Sequence, residues 1–224
     1  LNKEQYQSLI NEISNKIVED KYGLQTIRNI YFDNDFDQVI RTSLEKPKFK
    51  EKLRLRCYGL PDDQSDVFLE IKKKYKKVVY KRRLNLKLID FEHLMTNLQK
   101  KDFVINANTP CVSELTKSQF RILEEVVYKI KKYRLYPKIF IAYDRIAYNV
   151  PSWNNFRITF DNNIRSKRDN LSLRIDSDCK FLIGSDNYIM EAKVMNSFPL
   201  WFVKALSKLK IYPISFSKYG KIFQ

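Results

Sequence analysis

Apolar and polar positions alternate through much of this chain. In VFLEIKKKY, Val67, Leu69 and Ile71 alternate with Phe68, Glu70, Lys72 and Lys74, the period-2 pattern of a β-strand. EKLRLRCY sets Leu53, Leu55 and Cys57 against Lys52, Arg54, Arg56 and Tyr58. FRITFD sets Phe156, Ile158 and Phe160 against Arg157, Thr159 and Asp161, and YIMEAKV sets Met190, Ala192 and Val194 against Glu191 and Lys193. In IAYDRIAY, Tyr143 and Arg145 share a face that Ile141 and Ala147 dilute. Each segment predicts a strand with one apolar face and one face carrying Arg or Lys near its middle.

A period near 3.6 predicts helices elsewhere. Glu4 to Asp20 places Tyr6, Leu9, Ile10, Ile13 and Ile17 on one stripe, and Gly23 follows close behind to help end it. Phe91–Lys101 predicts a second helix. Ser118–Lys132 predicts a third, with Ser118 as N-cap and Phe120, Leu123, Val127 and Ile130 facing inward. Pro199 opens a last short helix reaching about Leu209. Thr26–Asp33, Glu51–Tyr58, Val67–Tyr75, Pro137–Tyr148, Asn155–Asp161, Leu171–Ile175 and Tyr188–Val194 read as strands. Lys77–Lys87 reads as either a strand or a basic connection, and Asn162–Asn170 as a polar loop. Strands predominate and helices punctuate them, so the expectation is a single α+β domain over residues 1–224, organised on an antiparallel sheet.

Composition narrows the partner. With 44% hydrophobic residues among 224 there is material for a packed core, yet 42 Lys+Arg against 26 Asp+Glu leave a formal charge of +16. That excess favours a polyanion: nucleic acid, an anionic membrane surface or phosphate chains. Cys57, Cys111 and Cys179 stand far apart without any CxxC, and His93 is the only histidine. Zinc sites of the usual spacing and a disulfide framework are thereby disfavoured, and a reducing compartment fits. Four glycines are too few for a Gly-rich phosphate loop. The chain shows neither a bilayer-length apolar run nor a signal-peptide pattern, and it begins at Leu1 without methionine, as a piece of a longer protein would.

The plainest reading of a charged strand face is a face washed by solvent. Two details weigh against it for the set. Arginine recurs, often at i and i+2, where planar forks sit side by side and suit bidentate phosphate binding. Exposed faces more often mix hydroxyls, amides and both charge signs. Converging in a closed barrel, these faces would line a polycationic tunnel. Like charges about 4 Å apart repel by roughly 1 kcal/mol in water and about 4 kcal/mol at an effective dielectric near 20. Such a tunnel stays wet or holds anions, and a bound polyphosphate would stabilise it by mass action.

The motifs IRNIYFDN (27–34), KLRLRCYG (52–59), VFLEIKKKY (67–75), VVYKRRLNLK (78–87), YDRIAY (143–148), FRITFDNNIR (156–165), IMEAKV (189–194) and FSKYG (216–220) stand in the order seen in one family. In them the chain resembles the VTC (vacuolar transporter chaperone) domain, the polyphosphate polymerase branch of the CYTH-like, or triphosphate tunnel, superfamily. The resemblance implies an antiparallel β-barrel tunnel flanked by helices. It implies phosphate grips at Arg54, Arg56, Lys72, Arg145, Arg157 and Lys218. It further implies substrate contacts from Lys81, Arg83, Lys87, Tyr143, Lys193 and Ser217, and a divalent metal, Mn2+ or Mg2+, at Glu191. ATP or another nucleoside triphosphate and polyphosphate are the implied partners, with localisation in the cytoplasm or at the cytoplasmic face of a membrane, reached there through a membrane-associated partner or a fused segment outside these residues. Family members open with a strand carrying a Glu-x-Lys-Tyr type motif before the first helix. This chain lacks it, so either the sequence is truncated or one barrel wall is absent.

The implied reaction is transfer of a γ-phosphoryl group to a growing polyphosphate chain, whose terminal phosphate is already anionic and needs no general base. A triphosphatase of the same superfamily is the rival reading. It would want several glutamates for metal and water, where the matched strands offer only Glu70 and Glu191. A non-catalytic polyphosphate sensor is a third. Nucleic acid is not expected, because most Tyr and Phe fall on apolar faces or helix stripes, where packing accounts for them. His93, Cys57, Cys179, Trp153 and Trp201 are read as structural.

Overall fold

The computed structural model describes every residue except Lys77, Lys101, Asp102, Ala107, Asn108, Pro110, Cys111 and Asn154. The readings made above for Cys111 and Lys77, and for the helix end at Lys101, lie outside the described residues. The protein is a mixed α+β chain built on a large antiparallel sheet. The strand order is β5-β4-β3-β2-β6-β7-β8, with β1 on β6 and β9 on β7. Here β1 is Val18–Glu19, β2 Gln25–Asp33, β3 Phe49–Tyr58, β4 Asp66–Tyr75, β5 Val78–Lys87, β6 Tyr136–Asn149, β7 Arg157–Lys167, β8 Lys180–Phe181 and β9 Ile189–Lys193. The hydrogen-bonded path runs from β5 to β8, and among the described residues no ladder joins those two edges.

Two compact units divide the chain, and β2, β6 and β7 contribute residues to both. The first comprises Leu1–Ile27, Ala142–Arg165 and Lys180–Ser217. Helix α1 (Lys3–Ile13) starts at a capping box in which Asn2 accepts from the Gln5 amide and the Gln5 side chain from the Asn2 amide. Leu9 and Ile13 of α1, Phe202 and Ala205 of α5 (Leu200–Lys208), and Phe156, Ile158 and Phe160 form one buried cluster. Met190, Ala192 and Val194 pack on its edge. The alternation read from FRITFD and YIMEAKV is therefore the division between core and polar face. Helix α1 ends at Ile13, well short of Asp20. A 3-10 turn at Ser14–Lys16 follows, and Val18–Glu19 extends to pair with Asn149 and Tyr148.

The second unit comprises Arg28–Ile141, Ser166–Cys179 and Lys218–Gln224. Val67, Leu69 and Ile71 of β4, Leu53, Leu55 and Cys57 of β3, and Leu84 and Leu86 of β5 are all buried on one sheet face. Helix α4 (Lys117–Tyr133) turns Leu123, Val126, Val127 and Ile130 inward. It is fastened to the strands by Glu125, which pairs with Lys73 and Arg82, and by Lys129, 2.6 Å from Glu51. Thr116, not Ser118, is the N-cap of α4, in a capping box with Gln119. Arg134, at φ 51, ends the helix in the left-handed region. Helix α3 (Leu88–Leu98) starts three residues before the predicted Phe91.

Two further expectations need correction, and two helices arise that the sequence patterns did not suggest. The segment 162–170 is not all loop, because β7 continues to Lys167. Asn163 takes φ 48, a left-handed conformation that Asn tolerates, while Ile164 and Ser166 are buried. No strand forms at Leu171–Ile175. Helices α2 (Gln38–Leu44) and α6 (Lys218–Phe223) were not anticipated. Both depend on Asp33, which is fully buried at the end of β2. Its carboxylate accepts from the Asn34, Val39 and Ile40 amides and from the Tyr219 hydroxyl at 2.8 Å, contacts that no local pattern announces.

Candidate functional site: two cationic strand faces

In the second unit, antiparallel register lines up the polar faces of β3, β4 and β5 rung by rung. Lys52, Lys72 and Lys81 form one rung; Arg54, Glu70 and Arg83 the next; Arg56, Phe68 and Asn85 the third. Glu70, only 1% exposed, lies at the centre of this grid. Its Oε2 receives Arg54 Nε at 2.7 Å and Nη2 at 2.6 Å, with Arg56 Nε at 4.0 Å. Its Oε1 receives Arg83 Nε at 2.8 Å and Nη2 at 2.5 Å, together with Lys81 Nζ at 2.8 Å. Four cationic side chains thus share one carboxylate, and Glu70 offsets only one of their four charges.

Neutral groups hold the same cations in orientation. Arg56 Nε donates to Asn29 Oδ1 at 2.9 Å, and Arg54 Nη1 donates to the Tyr31 hydroxyl at 3.1 Å. Arg83 stacks over Phe68, 4.5 Å from its centroid, and approaches the Tyr58 hydroxyl at 3.5 Å. Asn29 is itself fixed by donating to the Ile141 carbonyl at 3.1 Å. Electrostatics records the surplus. Burial alone would raise the Glu70 pKa, yet the charges of Arg54 and Arg56, with hydrogen bonds from Lys81 and Arg83, hold it down at about 2. Burial would likewise raise Tyr31, and Arg54 and Arg56 bring it down to about 8. Burial, with its cationic neighbours, depresses Lys52.

Other expected residues fall around this grid. Lys72 lies opposite both Lys52 and Lys81. Lys87 stands at the far end of β5, paired with Asp66 at 2.9 Å. Lys218 opens α6, whose Tyr219 ring lies 5.2 Å from the Tyr31 ring and 5.9 Å from Lys52 Nζ. Lys73 and Arg82 are on the opposite sheet face, held by Glu125, which divides the lysine-rich run of β4 between two environments.

The first unit carries the remaining residues on the polar side of β6, β7 and β9. Arg145 binds Asp161 through both ends of its fork, Nε to Oδ1 at 2.5 Å and Nη2 to Oδ2 at 2.7 Å, and Asp161 is 1% exposed. The Arg145 guanidinium also lies 5.2 Å from the Tyr143 centroid. Burial would lower the Arg145 pKa, but the Asp161 hydrogen bond and the charges around it raise it. Arg157 pairs with Asp20 at 2.7 Å and faces Lys193 across the β7–β9 ladder. Glu191 is opposite Thr159, half exposed and 3.3 Å from Lys193 Nζ. The Thr159 hydroxyl is buried without a hydrogen-bond partner. Ser217 is exposed at the end of this unit.

Among the described residues no group of three or more His, Cys, Asp and Glu gathers as a metal nest. Asp161 is engaged by Arg145, and among the described residues on the polar side of β6, β7 and β9 Glu191, beside Lys193, is a half-exposed carboxylate. One carboxylate fits a hydrated Mg2+ or Mn2+ that takes its other ligands from phosphate oxygens and water, and does not fit an all-protein cage.

Sequence reading found the cations of both faces. It placed Glu70 and Asp161 on polar strand faces without giving either a binding role, and passed over Asn29, Tyr31 and Asp33. The available signal for Glu70 was its position as a carboxylate in the middle of a polar strand face whose neighbouring strands carry Arg and Lys at the same level.

The sequence model of the VTC domain family matches residues 1–223. Among solved structures, the PH1819 protein from Pyrococcus horikoshii OT3 aligns over 91% of this chain and 81% of its own, at 11% identity and a TM-score of 0.37. At that score the likeness carries no argument about this chain. Among the described residues no helix is long and apolar enough to cross a membrane.

Proposed function

The chain belongs to the VTC domain family, and on that premise we propose that it is a polyphosphate polymerase-like domain. In this reading it binds a nucleoside triphosphate such as ATP on its cationic strand faces and transfers the γ-phosphoryl group to a growing polyphosphate chain. Family membership ties the chain to polyphosphate in the broad sense. The observation that supports the finer reading is the Glu70 grid, four cations within 4.0 Å of one buried carboxylate.

Phosphoryl transfer through a loose transition state asks a protein for alignment and charge neutralisation more than for covalent chemistry. Arg54 and Arg83 offer planar forks on one rung, suited to paired phosphate oxygens, while Lys72 and Lys81 offer point charges on the next. Arg145, held by Asp161, presents a guanidinium whose orientation is set before substrate arrives. Arg157 and Lys193 add charge beside it. A bound Mn2+ or Mg2+, which Glu191 would help hold, supplies further neutralisation of phosphate oxygens. The enclosed tunnel that the resemblance implies belongs to the same proposal, because enclosure would keep water from the transferring group.

Glu70 supports the polymerase reading over the hydrolase one. A triphosphatase needs a basic group to activate water, and a carboxylate held at about 2 has little basicity at neutral pH. The acceptor of a polymerase, a terminal phosphate, is already anionic. The test is incubation with ATP and Mn2+ followed by gel separation. A ladder of long phosphate chains is expected. Orthophosphate alone would make the domain a hydrolase, and binding of tripolyphosphate without either product would make it a sensor.

A further inference from the structure

We propose that Glu70 is a built-in counter-anion that competes with phosphate for Arg54, Arg56, Lys81 and Arg83, and so sets how tightly this face grips a polyphosphate chain. The inference rests on the reading above that the β3–β5 face takes phosphate.

The geometry is that of an anion already seated. Register puts Glu70 directly between Arg54 and Arg83, with a cation rung on one side. Each carboxylate oxygen is met by nitrogen atoms of a different group: Arg54 at Oε2, Lys81 and Arg83 at Oε1. Exposure then grades outward. The Glu70 side chain is 1% exposed and Arg56 9%, against Arg54 21%, Arg83 34% and Lys81 45%. The carboxylate is therefore at the floor beside Arg56, and Arg54, Arg83 and Lys81 also reach solvent. A phosphate arriving from solvent meets cations whose hydrogen bonds are partly spent on Glu70, and it feels the repulsion of that charge from behind them.

Such weakening has a use in this reaction. A polymer that is extended one phosphate at a time must shift or leave after each transfer. Four cations acting together without an opposing charge would hold each phosphate too long. A charge fixed in the floor lowers the grip without removing any of the forks that orient it.

A merely structural role for Glu70 predicts the opposite sign. If the carboxylate only held the arginines in place, its loss would scatter them and weaken binding. The test is calorimetric titration of tripolyphosphate at low ionic strength into the wild type, Glu70→Gln and Glu70→Asp. Glu70→Gln is expected to bind about tenfold tighter, from removal of one charge about one phosphate diameter from the ligand, with a steeper salt dependence. Without anion it should melt lower, and tripolyphosphate should raise its melting temperature more than that of the wild type. Glu70→Asp, which keeps the charge, should stay near wild type. Equal or weaker binding by Glu70→Gln overturns the proposal.

If Glu70→Gln does not fold, the double variant Glu70→Gln/Lys81→Gln removes one charge of each sign and should bind several-fold tighter than Lys81→Gln alone, because the remaining cations are freed of the opposing charge. A loss equal to that of Lys81→Gln alone overturns the proposal. A wild type that does not bind tripolyphosphate sinks the proposed function and this inference together, whereas wild-type binding with no gain in Glu70→Gln sinks the inference alone.

Discussion

Acid should strip stability from this protein through Glu70, and the amount follows from its surroundings. Its folded-state pKa is about 2 against an ordinary value of 4.5. A group depressed on folding contributes stability that is fully present above its unfolded value and is lost as pH falls toward its folded value. The 2.5-unit gap corresponds to about 3 kcal/mol at 1.36 kcal/mol per unit. Because Lys81 and Arg83 are 45% and 34% exposed, screening brings the figure nearer 2 kcal/mol. Glu70→Gln places a neutral group at the same position and so isolates this contribution from every other titrating carboxylate. Urea unfolding of both proteins in low salt should show the wild type more stable by about 2 kcal/mol at pH 7. The difference should shrink below pH 4.5, with about three-fifths of it gone by pH 3.5. A difference that stays constant from pH 7 to pH 3.5 would refute the reasoning, because it would mean that Glu70 acts by shape and not by charge.

Further predictions concern the other face and the reaction. Asp161→Asn sets a buried neutral amide against the partly buried Arg145 and should cost about 2 kcal/mol in urea unfolding; a cost below about 0.5 kcal/mol would show the pair to be dispensable. Glu191→Gln should barely change stability, since its partner Lys193 is exposed, but should reduce Mn2+-dependent chain synthesis more than tripolyphosphate affinity. Equal losses of synthesis and affinity would remove the metal role from Glu191.

The division between what the sequence disclosed and what it hid is physical. Period-2 alternation located β3, β4, β7 and β9 and the sides of each, because one face of every such strand must be buried: Leu53, Leu55, Ile158 and Phe160 could only point inward. The cations of the candidate site follow from the same rule. Their convergence on Glu70 does not, since the pairing of residue 54 with 70 and of 70 with 83 is set by register between strands. Asp33 is hidden for the same reason. Its acceptors look like turn chemistry in DNDFD, whereas the side chain joins β2 to α2 and to Tyr219, 186 positions away. The overshoot of α1 came from Ile17, which fits a helical stripe yet packs against the same core from an extended segment. The strand continuing through Asn163 was masked by polar residues whose burial only the fold reveals. Closure of the sheet into a barrel is likewise a matter of edge pairing, and no local pattern specifies it.

The central claim is that these basic strand faces grip phosphate chains, and calorimetric titration of tripolyphosphate into the wild type, Arg54→Ala and Arg157→Ala tests it most directly. Charge-assisted hydrogen bonds are worth about 1.5–3 kcal/mol each, so affinity should fall at least about tenfold in each variant. Unchanged affinity in both would contradict the account.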